Sequence, residues 1–265
     1  MTATAVPRLA DLGPDLLVTT ARRRALSLAL PYLGLAAFTV TAWRHWWWLT
    51  PLIVFLTFVA VVTVTHDVVH RSLGLGRRSS NWALFFLGLV LLESGHAYRT
   101  THLQHHRLFP SADDPEGYPA DLGFLGAICY GPVFLPRLWW WAYRRNAAAR
   151  GWLIAEAAAP FAVLTGGVLL WPVAPGLLVY AVMVVVGSWV YPLLTVYLPH
   201  RDYGDTPLTQ TRTLRGRVIP AIFLELTYHL EHHLFPQVPS HRLPELARRL
   251  DPYLDSAGVR PRRVL

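Results

Sequence analysis

The sequence predicts an all-α integral membrane protein, with four transmembrane helices and a cytosolic helical cap that carries histidine motifs. Hydrophobic residues make up 53% of the 265 residues and charged residues only 15%, whereas about 25% charged is usual for soluble globular domains. Four apolar stretches reach the length of about 20 residues that a helix needs to cross a bilayer. The twelve histidines are concentrated in short motifs. We expect residues 1–265 to form one membrane domain with short cytosolic tails at both ends.

The predicted spans are roughly residues 25–43, 46–65, 152–171 and 174–197. Only a few residues separate the first span from the second and the third from the fourth, so both connections are predicted to be tight turns. Two further apolar segments are predicted to be interfacial or buried helices. Residues 81–92 contain too few apolar positions to span, and residues 122–143 are interrupted by Pro132 and Pro136.

The arginines predict the orientation in the membrane. All 24 basic residues are Arg, and 23 of them fall on one side of the predicted spans. The positive-inside rule makes that side cytoplasmic, so we predict a multi-pass protein of the bacterial inner membrane with both termini and the histidine motifs in the cytoplasm. Tryptophans 46–48 and Trp171 would lie at the opposite interface. No signal peptide is expected, because residues 22–24 lead directly into a full span.

Composition also excludes several classes of function. The single cysteine, Cys129, cannot form an internal disulfide, a thiolate zinc site or an iron–sulfur cluster. Nucleic-acid binding does not fit a chain with so much apolar sequence, despite its net charge of +8. Any resident metal must therefore be bound by ligands other than thiolates.

Three histidine boxes predict a metal centre. They are HDVVH, HLQHH and HLEHH, and their histidines are His66 and His70; His102, His105 and His106; and His229, His232 and His233. Spacings of three or four residues place the rings about 6 Å apart on one helix face, where they can chelate a metal ion. About 0.02 HxxHH matches are expected in a random chain of this composition, so two matches are not a coincidence.

The predicted topology brings the three boxes to one face of the membrane. Eight neutral imidazoles suit iron, zinc or copper better than magnesium or calcium, and eight ligands shared by two six-coordinate metals leave positions open for chemistry. His200 is a ninth candidate ligand. His96 lies about 240° around the helix from His102 and is expected to face away. His45 and His241 are expected to be structural.

These motifs resemble the membrane fatty acid desaturase superfamily, which includes acyl desaturases and the carotenoid hydroxylases and ketolases. The order HxxxH, HxxHH, HxxHH is similar over nearly the whole chain, from Ala25 to about Leu250. Tyr98 and Arg99 before the second box, and the Phe-Pro continuation of the third, are also similar to that family. His200 matches a further metal-binding histidine of acyl-CoA desaturases, whereas Val196 stands where those enzymes have an asparagine.

The resemblance implies a non-haem di-iron oxygenase that uses O2 to remove hydrogen from a C–H bond of a lipid. No catalytic residue is expected beyond the di-iron ligands, and no organic cofactor. Buried carboxylates would orient the imidazoles by accepting their second N–H, and the candidates are Glu93, Asp113, Asp114, Glu116, Glu225 and Glu231. Glu156, inside the third span, is predicted either to face a cavity or to extend to the interface.

The compact chain, the YLPHR segment and residues 113–116 resemble the carotenoid ketolases and hydroxylases, and this resemblance implies a carotenoid substrate. Such a substrate would need a long apolar groove lined by residues of the second and fourth spans. A fatty acyl lipid is the alternative substrate. Electrons must come from an external donor of ferredoxin type, because the chain contains no redox cofactor motif. A divalent-metal transporter is the alternative of another class, although the first, second and fourth spans hold almost no ionisable residues for a transport path.

Overall fold

The computed structural model describes residues 6–265, and the first five residues of the predicted N-terminal tail lie outside the described range. The described chain is mostly helical, as predicted. Two strands of two residues each, β1 (Leu214–Arg215) and β2 (Arg262–Arg263), pair in parallel. The α-helices in chain order are α1 (Leu9–Leu12), α2 (Ala21–Trp43), α3 (Thr50–Val69), α4 (Arg77–Leu91), α5 (Gly95–Leu108), α6 (Gly123–Cys129), α7 (Gly131–Arg145), α8 (Arg150–Leu169), α9 (Pro175–Gly187), α10 (Leu198–His200), α11 (Val218–Ile222), α12 (His229–Leu234) and α13 (Leu243–Ser256).

Four helical segments of the described chain are long and apolar enough to cross a membrane, which confirms the predicted number of spans. They are Ala21–Trp43, Trp47–Val69, Ala147–Leu169 and Pro175–His200, and their ends differ from the predicted ones by only a few residues. The first two spans form one antiparallel hairpin and the last two form another. Gly34 allows α2 and α3 to approach closely, because a Cβ at Gly34 would lie 2.3 Å from the Thr57 hydroxyl oxygen.

The second span is the centre of the bundle. In the structure 78% of its apolar window is buried, compared with 17% for the first span and 22% for the third, whose apolar surfaces are mostly left uncovered by the described chain. Apolar side chains all around α3 suit a buried helix. Its threonines remain compatible with burial because their hydroxyls donate to carbonyls one turn earlier, as Thr57 does to Ile53 at 2.7 Å and Thr63 to Val59 at 2.8 Å.

The helix of the second span continues beyond the apolar stretch that ends near residue 65 and through the first histidine box. His66 lies inside the helix and His70 is its C-terminal capping residue. This continuation agrees with the predicted placement of His66 and His70 on one helix face, and no Gly or Pro interrupts the box. The helix ends where Arg71 adopts a left-handed backbone with φ 58°.

The two additional apolar segments are helices. The first is α4, whose Leu84 and Leu87 are buried. The second is divided into α6 and α7 at Tyr130, and the expectation that Pro132 and Pro136 interrupt it is wrong. Pro132 occupies the first turn of α7, where its missing N–H costs nothing, and Pro136 lies within that helix.

The fourth span changes its helical geometry before it reaches His200. After α9 the chain passes through a short 3₁₀ turn and then a π-helical segment, Pro192–Tyr197, before α10. Pro192 and Pro199 each lack an N–H, so regular α-helical hydrogen bonding cannot continue through this end of the span. π-Helical turns change the direction of the side chains that follow them, and here they precede His200.

The two ends of the described chain pack together. Leu12 and Leu16 share an apolar cluster with Leu243, Leu246 and Leu250 of α13. The guanidinium of Arg249 donates to both carboxylate oxygens of Asp15, at 2.8 and 2.7 Å. Both ends therefore lie on the same side of the four spans.

A reporter protein fused after Leu265 should report a cytoplasmic location, because the arginine-rich side is expected to remain inside. The same reporter inserted between His45 and Trp46, in the turn between the first two spans, should report the external side. Activity of an externally active reporter at the C-terminal fusion would contradict the predicted orientation.

Candidate metal centre

Nine histidines meet in two adjacent groups. Within each group, one ring nitrogen of every member lies within 4.8 Å of the others. The five-histidine group consists of His66, His70, His102, His106 and His232, and the four-histidine group consists of His105, His200, His229 and His233. The structure thus brings together the eight histidines of the boxes and His200, which are the nine metal ligands predicted from the sequence.

Four chain segments supply these rings. The C-terminal end of α3 carries the first box, and α5 carries the second. Ser94 is the N-cap of α5, and its side chain accepts a hydrogen bond from the backbone N–H of Ala97 at 3.1 Å. This bond stabilises the start of the helix. The third box is the six-residue helix α12, and His200 ends the fourth span.

The hydrogen bonds of the rings show that the site fits metal ions. His105 Nδ1 donates to the Asp114 carboxylate at 2.6 Å, and His200 Nδ1 donates to the carbonyl oxygen of Gln210 at 3.1 Å. Since those acceptors carry no hydrogen, the neutral rings keep lone pairs on Nε2. The two Nε2 atoms face each other at 3.1 Å. Facing lone pairs repel, so the arrangement suits a cation that both nitrogens bind.

The same pattern occurs in the five-histidine group. His102 Nδ1 donates to Glu116 at 3.1 Å, and its Nε2 lies 3.2 Å from that of His106. The Nε2 atom of His232 is 2.8 Å from that of His106 and 2.9 Å from that of His66. Imidazole nitrogens in this number are a donor set for iron, zinc or copper.

Burial keeps most of the rings neutral. Burial, and then the charges of neighbouring histidines, hold the pKa of His102 and of His106 well below the usual value. Burial also lowers the pKa of His105, but the hydrogen bond and charge of Asp114 outweigh it and the pKa is raised. Burial raises the pKa of Glu116 to about 7. Asp114 and Glu116 therefore hold the Nδ1 protons in place while Nε2 remains available to a metal.

Only two of the six candidate carboxylates contact a histidine of the two groups in the described chain, namely Asp114 and Glu116. Glu231 instead pairs with Arg215 at 2.6 Å. The other three candidates, Glu93, Asp113 and Glu225, form no bond to a histidine there, and the expectation that they orient imidazoles is wrong. Their position in the sequence near a box did not give them a hydrogen bond to a ring in the described chain.

His96 and Glu156 form a separate buried pair. His96 Nδ1 lies 2.6 Å from Glu156 Oε1, and its ring stacks on Trp152 at 4.9 Å. Glu156 also accepts from the Ser94 hydroxyl. His96 therefore faces away from the metal groups, as predicted, and Glu156 faces the protein interior and does not extend to the interface. The pair joins the third span to the start of α5.

Asp67 is a site residue that the sequence analysis missed. Its Oδ1 accepts from the backbone N–H of Ser240 at 3.0 Å and from the Ser240 hydroxyl at 2.7 Å. This contact joins the first box to the segment that follows the third box. The sequence feature that could have indicated this role is the position of Asp67 inside the first box, directly after His66.

The contact of His200 with Gln210 could not be predicted from residue type, because every residue has a backbone carbonyl.

An apolar groove of about 260 Å³ reaches both histidine groups. As predicted, its walls include residues of the second and fourth spans, and the segment around α11 adds a third wall that was not predicted. The apolar wall residues include Phe58, Val59, Val62, Leu194, Leu198, Ile219, Phe223 and Leu226, and the histidines at the groove are His66, His102, His105 and His229. Tyr98 also lines the groove and stacks on His102 with ring centroids 4.7 Å apart.

Comparison with known proteins places this architecture in a family. The model of the family described as "Fatty acid desaturase" matches residues 41–264. A β-carotene ketolase from Paracoccus sp. (strain N81106 / MBIC 01143) is 29% identical over 269 residues, which cover 95% of this chain and 99% of that protein. A β-carotene ketolase from Paracoccus sp. (strain PC1) is 29% identical over 198 residues, covering 70% of this chain and 73% of that protein. A dihydrorhizobitoxine desaturase from Bradyrhizobium elkanii is 26% identical over 279 residues, covering 88% of this chain and 75% of that protein.

Replacement of Asp114 by alanine should weaken metal binding by about 10- to 100-fold, because His105 loses the group that orients its ring. The affinity can be measured by competition with a chelator of known strength. Asp113→Ala is the matched control, since this neighbouring carboxylate is exposed and contacts no histidine in the described chain. Equal affinity of the two variants would contradict the assigned role of Asp114.

The second box contributes to both groups, which makes metal content a test of the arrangement. Alanine at His66 and His70 should reduce the metal content from about two ions per chain to about one. Alanine at His102, His105 and His106 should remove both ions, and His45→Ala should remove neither. Elemental analysis of the purified variants would contradict the arrangement if the triple variant retained as much metal as the double variant.

Proposed function

This chain belongs to the fatty acid desaturase family, and from that premise we propose that this membrane oxidoreductase is an O2-dependent di-iron enzyme that hydroxylates or ketolates a carotenoid. The main observation in support of this proposal is the apolar groove, which ends at four of the clustered histidines. A carotenoid ketolase as a relative over 95% of the chain supports the same substrate class.

The groove suits an uncharged hydrocarbon. Among the residues that line it, Arg212 is the one guanidinium, and Arg212 is already paired with Asp202. The Glu116 carboxylate at its inner end is bonded to Thr101 at 2.6 Å and to His102. Neither charge is free to receive a polar head group, and an unpaired polar group would be costly to desolvate in these walls. A long apolar substrate can fill the groove without such a cost.

The histidines would hold two iron ions, with five imidazoles at one and four at the other. Iron bound there supplies the activation of O2 and the oxidation of a C–H bond. The chain's own residues position and protect this chemistry. The walls of the groove exclude water and direct one part of the substrate toward His66 and His105, while Asp114 and Glu116 hold the rings in the orientation that leaves Nε2 free.

The reaction needs electrons that the described chain does not supply, since Cys129 is its one cysteine and no cluster can be built from it. We therefore assign an external electron carrier of ferredoxin type as a partner. The arginine-rich side of the protein would face the bacterial cytoplasm, where such carriers are present.

A fatty acyl lipid desaturase is the second candidate. The match to a dihydrorhizobitoxine desaturase and the Tyr98-Arg99 and HLEHHLFP motifs favour removal of hydrogen to form a double bond. Membership in an enzyme family contradicts the divalent-metal transporter as an alternative.

Expression of the chain in a bacterium that makes β-carotene should yield hydroxylated or ketolated pigment, which chromatography and mass spectrometry would detect. The variant with alanine at His102, His105 and His106 is the control and should leave the pigment unchanged. Unaltered pigment together with a new unsaturated acyl chain, in a host that supplies iron and an electron donor, would exclude the carotenoid and favour the second candidate.

A further inference from the structure

Arginines without carboxylate partners are the chain neighbours of two members of the five-histidine group. Arg71 directly follows His70, and Arg107 directly follows His106. Both arginines are exposed, as are Arg77 and Arg78 at the start of α4. In the part of the chain that the structure describes, none of the four forms an ion pair, whereas Arg8, Arg212, Arg215, Arg248 and Arg249 all do. We call Arg71, Arg77, Arg78 and Arg107 the basic rim.

A fifth cation lies close to the basic rim. Arg99, on α5, is partly buried and donates to the side-chain oxygen of Asn81 at 2.7 Å. Burial lowers the pKa of Arg99, and the nearby charges of Arg71 and Arg77 lower it further, although Glu156 acts in the opposite direction. Arg71 and Arg77 therefore both lie near Arg99 and add to the positive potential at that guanidinium.

Charge alone does not distinguish the basic rim, because Arg260 and Arg263 are also exposed and unpaired. The basic rim differs from Arg260 and Arg263 because its Arg71 and Arg107 follow partly exposed histidines in the chain. His70 and His106 are the two half-buried members of the five-histidine group, and their rings lie 4.8 Å apart. Neither lines the substrate groove. The partial exposure of these two rings therefore does not come from the substrate groove.

The four-histidine group offers no comparable approach. Its half-buried members are His229 and His233. His229 lines the groove, which the substrate would occupy. His233 is followed by Leu234, which packs against the apolar cluster of α13. In the described chain, an exposed arginine directly follows a half-buried ligand only at His70 and His106.

We propose that the basic rim is the docking surface for an acidic one-electron carrier protein, and that electrons enter the centre through the edges of His70 and His106. This inference depends on the proposed function.

For hydroxylation, one turnover oxidises two reduced carriers and consumes one O2 and two protons from water. One oxygen atom becomes the hydroxyl group of the product, and the other leaves as water.

The alternative occupant is a layer of anionic lipid head groups, which Arg77 and Arg78 would also attract. The position of Arg71 and Arg107, each next to an exposed ligand edge, favours the carrier. Lipid binding would not require cations beside the ligands, whereas electron transfer requires a short path from the carrier to the metal. Binding measured in uncharged lipid separates the two occupants.

The test uses the full chain, loaded with iron, in nanodiscs of phosphatidylcholine. The affinity for a purified acidic [2Fe–2S] ferredoxin is measured for the wild type, for the double variant Arg71→Glu and Arg107→Glu, and for the control Arg260→Glu and Arg263→Glu. Both double variants change the net charge equally. The rim variant should bind the ferredoxin at least about tenfold more weakly than the wild type, and the control less than about threefold more weakly. The affinity of the wild type should fall as salt is added.

Equal losses in both variants would indicate a diffuse effect of net charge and would overturn the docking surface. Unchanged ferredoxin binding by the rim variant would also overturn it and would leave lipid as the occupant. Metal content checks that each variant is folded, and the milder pair Arg71→Gln and Arg107→Gln should show an intermediate loss of affinity.

Turnover separates this inference from the proposed function. If the wild type converts no pigment with either ferredoxin or a small chemical reductant, the proposed function fails, whatever the binding result. If the wild type converts pigment, the rim variant should lower the ratio of ferredoxin-supported to reductant-supported rate. An unchanged ratio would overturn the docking surface while leaving the proposed function intact.

Discussion

The facing lone pairs of neutral imidazoles are the constraint on which the rest of the structure depends. Rings whose Nε2 atoms approach to 3.1 Å repel one another unless a cation lies between them. Their positions must therefore be held by other contacts until the ion is bound. Asp114 and Glu116 supply some of these contacts, and the buried bond between Asp67 and Ser240 ties the first box to the segment after the third. Asp67, Asp114 and Glu116 are thus buried carboxylates whose contacts hold the segments around the centre.

The membrane makes these polar contacts expensive, and the structure satisfies them in pairs. Glu156 would be costly inside a span, but it meets His96 and the Ser94 hydroxyl, so no isolated charge faces lipid. The same contact fixes the first turn of α5 to the third span. Glu156, a charged residue inside an apolar span, therefore helps to hold α5, the helix that carries the second box.

Much of this arrangement could be predicted from the sequence, because periodicity and hydropathy act locally. Four spans, the helical boxes and the inclusion of His200 all follow from spacing and from resemblance. Contacts between distant segments could not be predicted in the same way. Asp114 contacts a ring and Asp113 does not, although they are adjacent, since the choice depends on how the loop after α5 folds back. The π-helical segment before His200 is likewise decided by packing as well as by its prolines.

The placement of box two on a single helix limits how the chain can vary in length. His102 and His106 belong to one group and His105 to the other, so α5 alone sets the spacing between the two groups. One inserted or deleted residue between His102 and His106 would rotate the following ligands by about 100° and disrupt both groups together. The segment between α10 and β1 carries no such restriction, apart from Gln210, the pair of Arg212 with Asp202 and the residues that line the groove. Differences in length among related chains should therefore accumulate in that segment and not in α5.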